Sequence, residues 1–276
     1  MSDTPKVPTE TRQERGVVFD NVGMTFRTAA GATQAIASVT GSIPEHKFVS
    51  VIGPSGCGKS TLLDIVGGLL KPSQGSIRID GESVVGPRPD TATVFQEDST
   101  LHWRSVLDNV AFGLEVRGVA KAERHDRARK MIELVGLRGF ERHRPGQLSG
   151  GMKQRVAIAR ALAMEPRVLL MDEPFGALDQ QTRQFIGREL LRIWESTRNR
   201  VLFITHDIQE AIYLSDEVWV MSARPSVVKE VVTVDLPRPR PEGTYALARF
   251  GELREHLWSL VKVEAEKTLG PGAQLA

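Results

Sequence analysis

The chain has 276 residues, 41% hydrophobic and 25% charged, and 36 Lys and Arg against 34 Asp and Glu give a formal net charge of +2. That length buries a substantial core in one large or two small domains, and the near balance of charge offers nucleic acid no bulk attraction. A nucleic-acid role would need a motif, and none is present; the single cysteine, Cys57, excludes an internal disulfide and fits a reducing compartment.

Residues 1–15, MSDTPKVPTETRQER, have no apolar core, so they are not a secretory signal, and their Pro, Thr and charge content predicts a disordered lead-in. No apolar run nears the roughly 18 residues of a membrane span. If the protein works at a membrane, another chain supplies the spans. From Gly16, short β-branched runs alternate with longer helical stretches. GVVFDNVGMTF (16–26) reads as a strand and its exit, and FVSVI (48–52) as a buried strand. SIRIDGESV (76–84) has Asp80-Gly81 at its centre, a hairpin signal. ATVFQ (92–96), RVLLMDEP (167–174), RVLFITHD (200–207) and EVWVMS (217–222) are further strands. Several are apolar on both faces, as in a parallel sheet covered by helices. Antiparallel signals gather near the N-terminus and at VVKEVVTVDL (227–236).

Between Ser105 and Met164 the strand signal vanishes and three helical stretches follow one another, a helical subdomain inserted into an α/β chain. DLPRPRPEG (235–243) reads as a Pro-rich linker. Tyr245 to about Lys267 reads as an amphipathic helix and GPGAQLA as a frayed tail. The expected division is therefore a main domain over 16–236, with its helical part near 105–164, then linker and helix over 237–276. No internal repeat is visible.

GPSGCGKST, Gly53 to Thr61, follows a strand and leads into a helix. Gly53, Gly56 and Gly58 admit backbone conformations closed to other residues. With Pro54, Ser55 and Cys57 they form a loop whose N–H groups can converge on an anion at a helix N-terminus. Lys59 brings a cation to the β- and γ-phosphates, Ser60 a hydroxyl to Mg²⁺, and Thr61 a further phosphate contact. The missing side chains make room for a triphosphate. Cys57, beside a helix N-terminus, is expected to have a lowered thiol pKa, so that alkylation blocks ATP binding.

VLLMDEP supplies the carboxylates such a loop needs. Asp172, at the strand tip, can hold Mg²⁺ through water, and Glu173 can polarise an attacking water as general base. LSGGMKQRVAIARAL (148–162) sets Ser149, Gly150 and Gly151 before a long helix, a second phosphate-binding helix N-terminus in one chain.

LSGG between a phosphate loop and an apolar strand ending in Asp-Glu resembles the signature of ABC ATPases, and the resemblance runs from about Val17 to Ser222. It implies an α/β P-loop NTPase with a RecA-like core, an N-terminal antiparallel β-subdomain and an inserted helical subdomain. It places Phe26 where the family stacks an aromatic, usually Tyr, on adenine. Gln96 resembles the glutamine that reaches Mg²⁺ and the attacking water, and His206 the switch histidine at the γ-phosphate. Asp179 resembles the aspartate that crosses a dimer interface. Met152 stands where Gln is commoner. The family pattern implies a head-to-tail pair of copies, with each ATP held between Gly53–Thr61 of one and Ser149–Gly151 of the other.

The stretches LHWRSVLDNVAFGLEVRG, THDIQEAIYLSDEVWVMSARP and VDLPRPR are similar to the ATPases of nitrate, sulfonate and taurine importers. This resemblance implies ATP and Mg²⁺, a separate transmembrane permease, and a periplasmic or lipid-anchored solute-binding protein acting through it. It also implies a peripheral place on the cytoplasmic face of the bacterial inner membrane, and no nucleic-acid partner. Trp103 beside Arg104 sits where a permease's coupling helix is expected to dock. The solute stays open among nitrate, taurine, other sulfonates and a small heterocycle such as a pyrimidine. A soluble ABC ATPase without a transport role is the alternative; it tends to carry a long coiled coil or two nucleotide domains, and this chain has neither. An exporter subunit differs in its permease, and a P-loop kinase has no use for Ser149-Gly150-Gly151.

Overall fold

The computed structural model describes residues 16–29, 31–97 and 99–269; the lead-in expected at 1–15 and the tail expected at 270–276 lie outside them. Ten strands form one sheet, in the order β5-β4-β1-β2-β10-β9-β3-β8-β7-β6. One part is antiparallel. There β1 (Gly16–Thr28) lies between β2 (Gly31–Pro44) and β4 (Gln74–Ile79), and β5 (Glu82–Ser83) closes the edge. Asp80 and Gly81 join β4 to β5 at φ of 52° and 82°, as a type I′ turn requires.

The other part is parallel: β9 (Glu217–Met221), β3 (Phe48–Ile52), β8 (Arg200–Ile204), β7 (Val168–Asp172) and β6 (Thr91–Val94). Between the two, β10 (Ser226–Thr233) runs parallel to β2 and antiparallel to β9. The central strands are apolar on both faces because they feed two cores. Phe48, Ile52, Met171, Phe203 and Val220 join the core beneath the larger helices. Their neighbours Val49, Val51, Leu170, Leu202 and Met221 join the core shared by the antiparallel strands and α1 (Lys59–Val66).

The helical block is α2 (Val106–Val116), α3 (Lys121–Leu134) and α4 (Gly150–Ala163), packed on one another. Ser105 caps α2, accepting from Asp108 N at 3.1 Å. Fully buried Asn109 fastens the turn before it: Leu101 N donates to Asn109 Oδ1 at 2.7 Å, and Asn109 Nδ2 donates to the carbonyls of Leu101, Arg104 and Ser105. That turn carries Trp103, 70% exposed, so an indole is held out toward solvent on a fixed backbone rather than packed on its own subdomain.

The linker expected near 235–243 is a packed strap. Arg240 is buried, and its Nη1 donates to the carbonyls of Ile212, Tyr213 and Ser215 at 3.0, 2.9 and 2.7 Å. These are the orphan carbonyls at the C-terminal end of α6 (Ile208–Leu214). Arg238 donates to Asp216 at 3.1 Å and stacks 4.2 Å over Trp194 of α5 (Gln180–Thr197). A 3-10 turn at Glu242–Ala246 precedes α7 (Ala248–Leu269), which begins slightly later than expected and packs on α6 and β9 through Phe250, Leu253 and Leu257.

Candidate functional site

Four loops leave the C-terminal ends of the neighbouring parallel strands β3, β8, β7 and β6. The register pairs Val51 with Ile204, Ile204 with Asp172, and Met171 with Val94. Residues far apart in sequence thus collect on one edge: Gly53–Gly58 after β3, His206 after β8, Glu173 after β7 and Gln96 after β6. Crevices at this edge are where open α/β sheets bind ligands.

The phosphate-loop backbone is shaped by what glycine allows. Gly58, at φ 103°, stands immediately before α1, and a Cβ there would meet Ile36 Cγ1 at 3.1 Å. A Cβ on Gly53 would come 2.8 Å from Met221 O. At Gly53 and Gly58 the loop therefore lies against β9 and β2 with no room for a side chain. Lys59, 7% exposed, turns its Nζ back to donate to Gly53 O at 2.9 Å and Pro54 O at 3.0 Å. A phosphate entering the loop would compete with those carbonyls for the ammonium.

Asp172 ends β7, is largely buried, and leaves Oδ1 without a hydrogen-bond partner. Burial pushes its carboxyl up, the Ser60 hydroxyl opposes that, and the charges of Glu173 and Asp64 add to it while Lys59 opposes. A buried carboxylate oxygen without a donor, beside a hydroxyl, is a donor set that suits a hard cation such as Mg²⁺. Glu173 has a left-handed φ of 43°, kept by Glu173 N donating to Ile204 O at 2.9 Å and by its own carbonyl accepting from Gly176 N at 3.1 Å. His206 Nδ1 lies 3.0 Å from Glu173 Oε2.

Ser149 caps α4, accepting from Met152 N at 3.3 Å, and both Ser149 and Gly150 are exposed. A Cβ on Gly151 would meet Leu178 at 3.2 Å and Ala177 O at 3.3 Å. Within one chain the serine-capped tip therefore sits against the turn that ends at Asp179. Asp179 caps α5, accepting from Thr182 N at 2.9 Å, and is itself exposed. Gln96 is exposed on its loop. Phe26 is half-buried on β1, opposite Thr33, and packs against the core that holds Ile36 and Cys57.

One expectation is corrected. The Cys57 thiol points into that core and is 1% exposed. Burial pushes its pKa up, against the opposing Lys59 charge and backbone N–H groups. Only the main chain of Cys57 belongs to the loop.

A family model described as ABC transporter matches residues 36–176. The chain belongs to the ABC transporter family. It is an ABC ATPase, an ATP-binding subunit that hydrolyses ATP. An uncharacterized ABC transporter ATP-binding protein of Methanocaldococcus jannaschii is 45% identical over 269 residues, 98% of this chain and 100% of that one. The taurine import ATP-binding protein TauB of Rhizobium johnstonii is 46% identical over 248 residues, 88% of this chain and 95% of the other. Among solved structures, the dimeric cassette MJ0796 superposes with a TM-score of 0.74 at 33% identity, over 80% of the ATPase and 100% of that chain. Its post-hydrolysis state bound to ADP and Pi gives 0.73.

Two features of this ABC ATPase were not read from its sequence. Buried Gln154 of α4 donates to Phe95 O at 3.2 Å, so the helix capped by Ser149 grips the loop that carries Gln96. Arg183 of α5 donates to Leu178 O at 3.2 Å and lies 3.4 Å from both Asp207 and Glu210, which joins the turn before Asp179 to the helix after His206. Neither has a local pattern, since each joins segments that only the fold brings together.

Proposed function

We propose that the chain powers an importer for taurine or a similar small sulfonate or nitrate-like anion, through a separate membrane permease. The observation that carries this reading is the run of relatives named taurine import ATP-binding proteins, 44–46% identical over 83–91% of the chain. In this reading Gly53–Thr61 cradles the triphosphate, Phe26 stacks on adenine, and Ser60, Gln96 and Asp172 serve Mg²⁺. Bound there, Mg²⁺ draws off charge from the phosphate oxygens. Glu173 takes the proton of the attacking water, and His206 orients Glu173 and the γ-phosphate. Two copies pair head to tail, with Ser149–Gly151 of one against the nucleotide of the other and Asp179 at the shared interface. The γ-phosphate is the contact that closes the pair.

The fastened turn with exposed Trp103 is the face offered to the permease, and Arg104 is kept from it by its 2.5 Å ion pair with Glu115. Among the described residues no helix is long and apolar enough to cross a membrane, consistent with a peripheral place on the cytoplasmic face beneath the permease.

Two experiments test the proposal. With Mg²⁺ and ATP, the Glu173→Gln protein should run as a dimer by light scattering, and adding Ser149→Arg should return it to a monomer. If the dimer survives a bulky residue at 149, the shared-nucleotide arrangement is wrong. Reconstituted with its permease and binding protein in vesicles, the ATPase should be stimulated by taurine, a short alkanesulfonate or nitrate; a response to none of them rules out the solute class.

A further inference from the structure

Arg224, in the turn between β9 and β10, touches the phosphate loop. Its Nε and Nη2 donate to Gly56 O at 3.1 and 2.6 Å. It is exposed. The end of β9 and the turn lie close beneath the loop: Met221 O of β9 would meet a Cβ on Gly53 at 2.8 Å, and Arg224 Nη2 would meet one on Gly56 at 3.5 Å.

The turn is itself fixed from outside. Glu264 of α7, 1% exposed, accepts from Ala223 N at 3.0 Å and from Lys229 and Lys267 Nζ, each at 2.7 Å. Burial alone would raise this carboxyl, but the two ammonium groups and the Ala223 N–H outweigh it and hold it at about 2. The carboxylate stays charged, and the residue next to Arg224 is pinned to the C-terminal helix.

The consequence follows from peptide geometry. In a planar trans peptide the C=O and the following N–H point opposite ways. With Gly56 O held on the guanidinium, the Cys57 N–H turns the opposite way and donates to Pro54 O of the same loop at 3.3 Å. Gly56 sits at φ 73°, and glycine offers little resistance to a peptide flip. The flipped peptide would present a carbonyl oxygen to phosphate, where like partial charges repel.

We infer that Arg224 is a positioning residue for the phosphate loop: by holding Gly56 O on its guanidinium it keeps that carbonyl out of the cradle, from a turn anchored to α7 by Glu264. The inference rests on Gly53–Thr61 being the triphosphate cradle. A loop that is held open binds without first reordering, so removing the anchor weakens binding while the hydrolytic residues stay in place.

The test is equilibrium binding of ATP and of ADP to the full chain without Mg²⁺, by calorimetry, for wild type, Arg224→Ala, Arg224→Lys, Glu264→Gln and Lys59→Ala. Arg224→Ala should raise Kd about tenfold, the size of one lost charge-assisted hydrogen bond. Arg224→Lys, which can still reach the carbonyl with one donor, should recover part of the loss. Glu264→Gln should weaken binding in the same direction. With Mg²⁺, Arg224→Ala should raise KM for ATP about tenfold and leave kcat within about twofold, a split that general destabilisation would not produce. If Arg224→Ala is less stable by melting, Arg224→Met provides the same comparison at similar side-chain length with no donor. Unchanged Kd in the Ala and Met variants overturns the inference, and if Lys59→Ala still loses binding the cradle reading survives it. Unchanged binding in Lys59→Ala overturns the cradle reading itself.

Discussion

His206 Nδ1 and Glu173 Oε2 lie 3.0 Å apart, although 33 residues separate them in the chain. Glu173 holds a left-handed φ of 43° while its N–H donates to Ile204 O of β8 at 2.9 Å, and such strain persists only where surrounding structure enforces it. Glu173→Gln keeps the size and a hydrogen bond to His206 but removes the proposed base. Phosphate release should fall at least about 100-fold, with ATP affinity within a few-fold of wild type. His206→Ala should lower turnover as well, by leaving Glu173 unoriented. Wild-type turnover in the Gln variant would remove Glu173 from the chemistry.

Asp172 sets function against stability. Its Oδ1 has no donor, and burial has already pushed the carboxyl up. An isosteric neutral amide relieves the buried charge, so Asp172→Asn should leave the nucleotide-free protein at least as stable as wild type. The same change removes the anionic oxygen proposed to serve Mg²⁺. In melts with ATP, the added stabilisation that Mg²⁺ brings to wild type should be absent. A variant that melts lower than wild type without nucleotide, and still responds to Mg²⁺, contradicts both expectations.

Cys57 should be a slow thiol. Reactivity needs thiolate and access, and burial withholds both. In the folded protein an aromatic disulfide reagent should label Cys57 at least about 100-fold more slowly than in denaturant, since labelling waits for local opening. Cys57→Ala should retain nucleotide binding, because the loop uses only the backbone of this residue. Rapid labelling of the native protein would show that α1 opens readily.

The parallel half was readable in advance because its strands are short, β-branched and apolar on both faces, and the candidate site lies at their C-terminal tips. Phosphate loop, paired acids and serine-capped helix each announce themselves through local residue types at fixed spacing. β2 did not: GATQAIASVTGSIP is rich in Ala, Ser and Gly, and its burial alternates weakly. Its strand character comes from pairing with β1 and β10, which no local pattern records. Arg240 misled for a similar reason. Pro-Arg-Pro-Arg-Pro reads as a solvated linker until the carbonyls at the end of α6 converge on its guanidinium. Cys57 was misjudged because adjacency to a helix N-terminus does not say which way a side chain points.

Glu210 makes stability depend on pH within a physiological window. Burial raises its carboxyl to about 7, helped by the charge of Asp207 and opposed by the Thr205 hydroxyl, Arg183 and His206. Thr205 Oγ1 donates to Glu210 Oε2 at 2.6 Å, and Arg183 Nε lies 3.4 Å from Oε1. In the unfolded chain the same group titrates near its ordinary value of 4.5. The folded state therefore binds this proton more tightly than the unfolded one. Its contribution is fully present below about pH 4.5, declines as pH rises toward 7, and is lost above. The difference is on the order of 3 kcal/mol. Glu210→Gln, neutral at every pH and still able to accept from Thr205, should match wild type near pH 5 and exceed it near pH 8 in urea unfolding. A gap between the two proteins that does not change with pH would mean that the Arg183 charge, and not burial, governs Glu210.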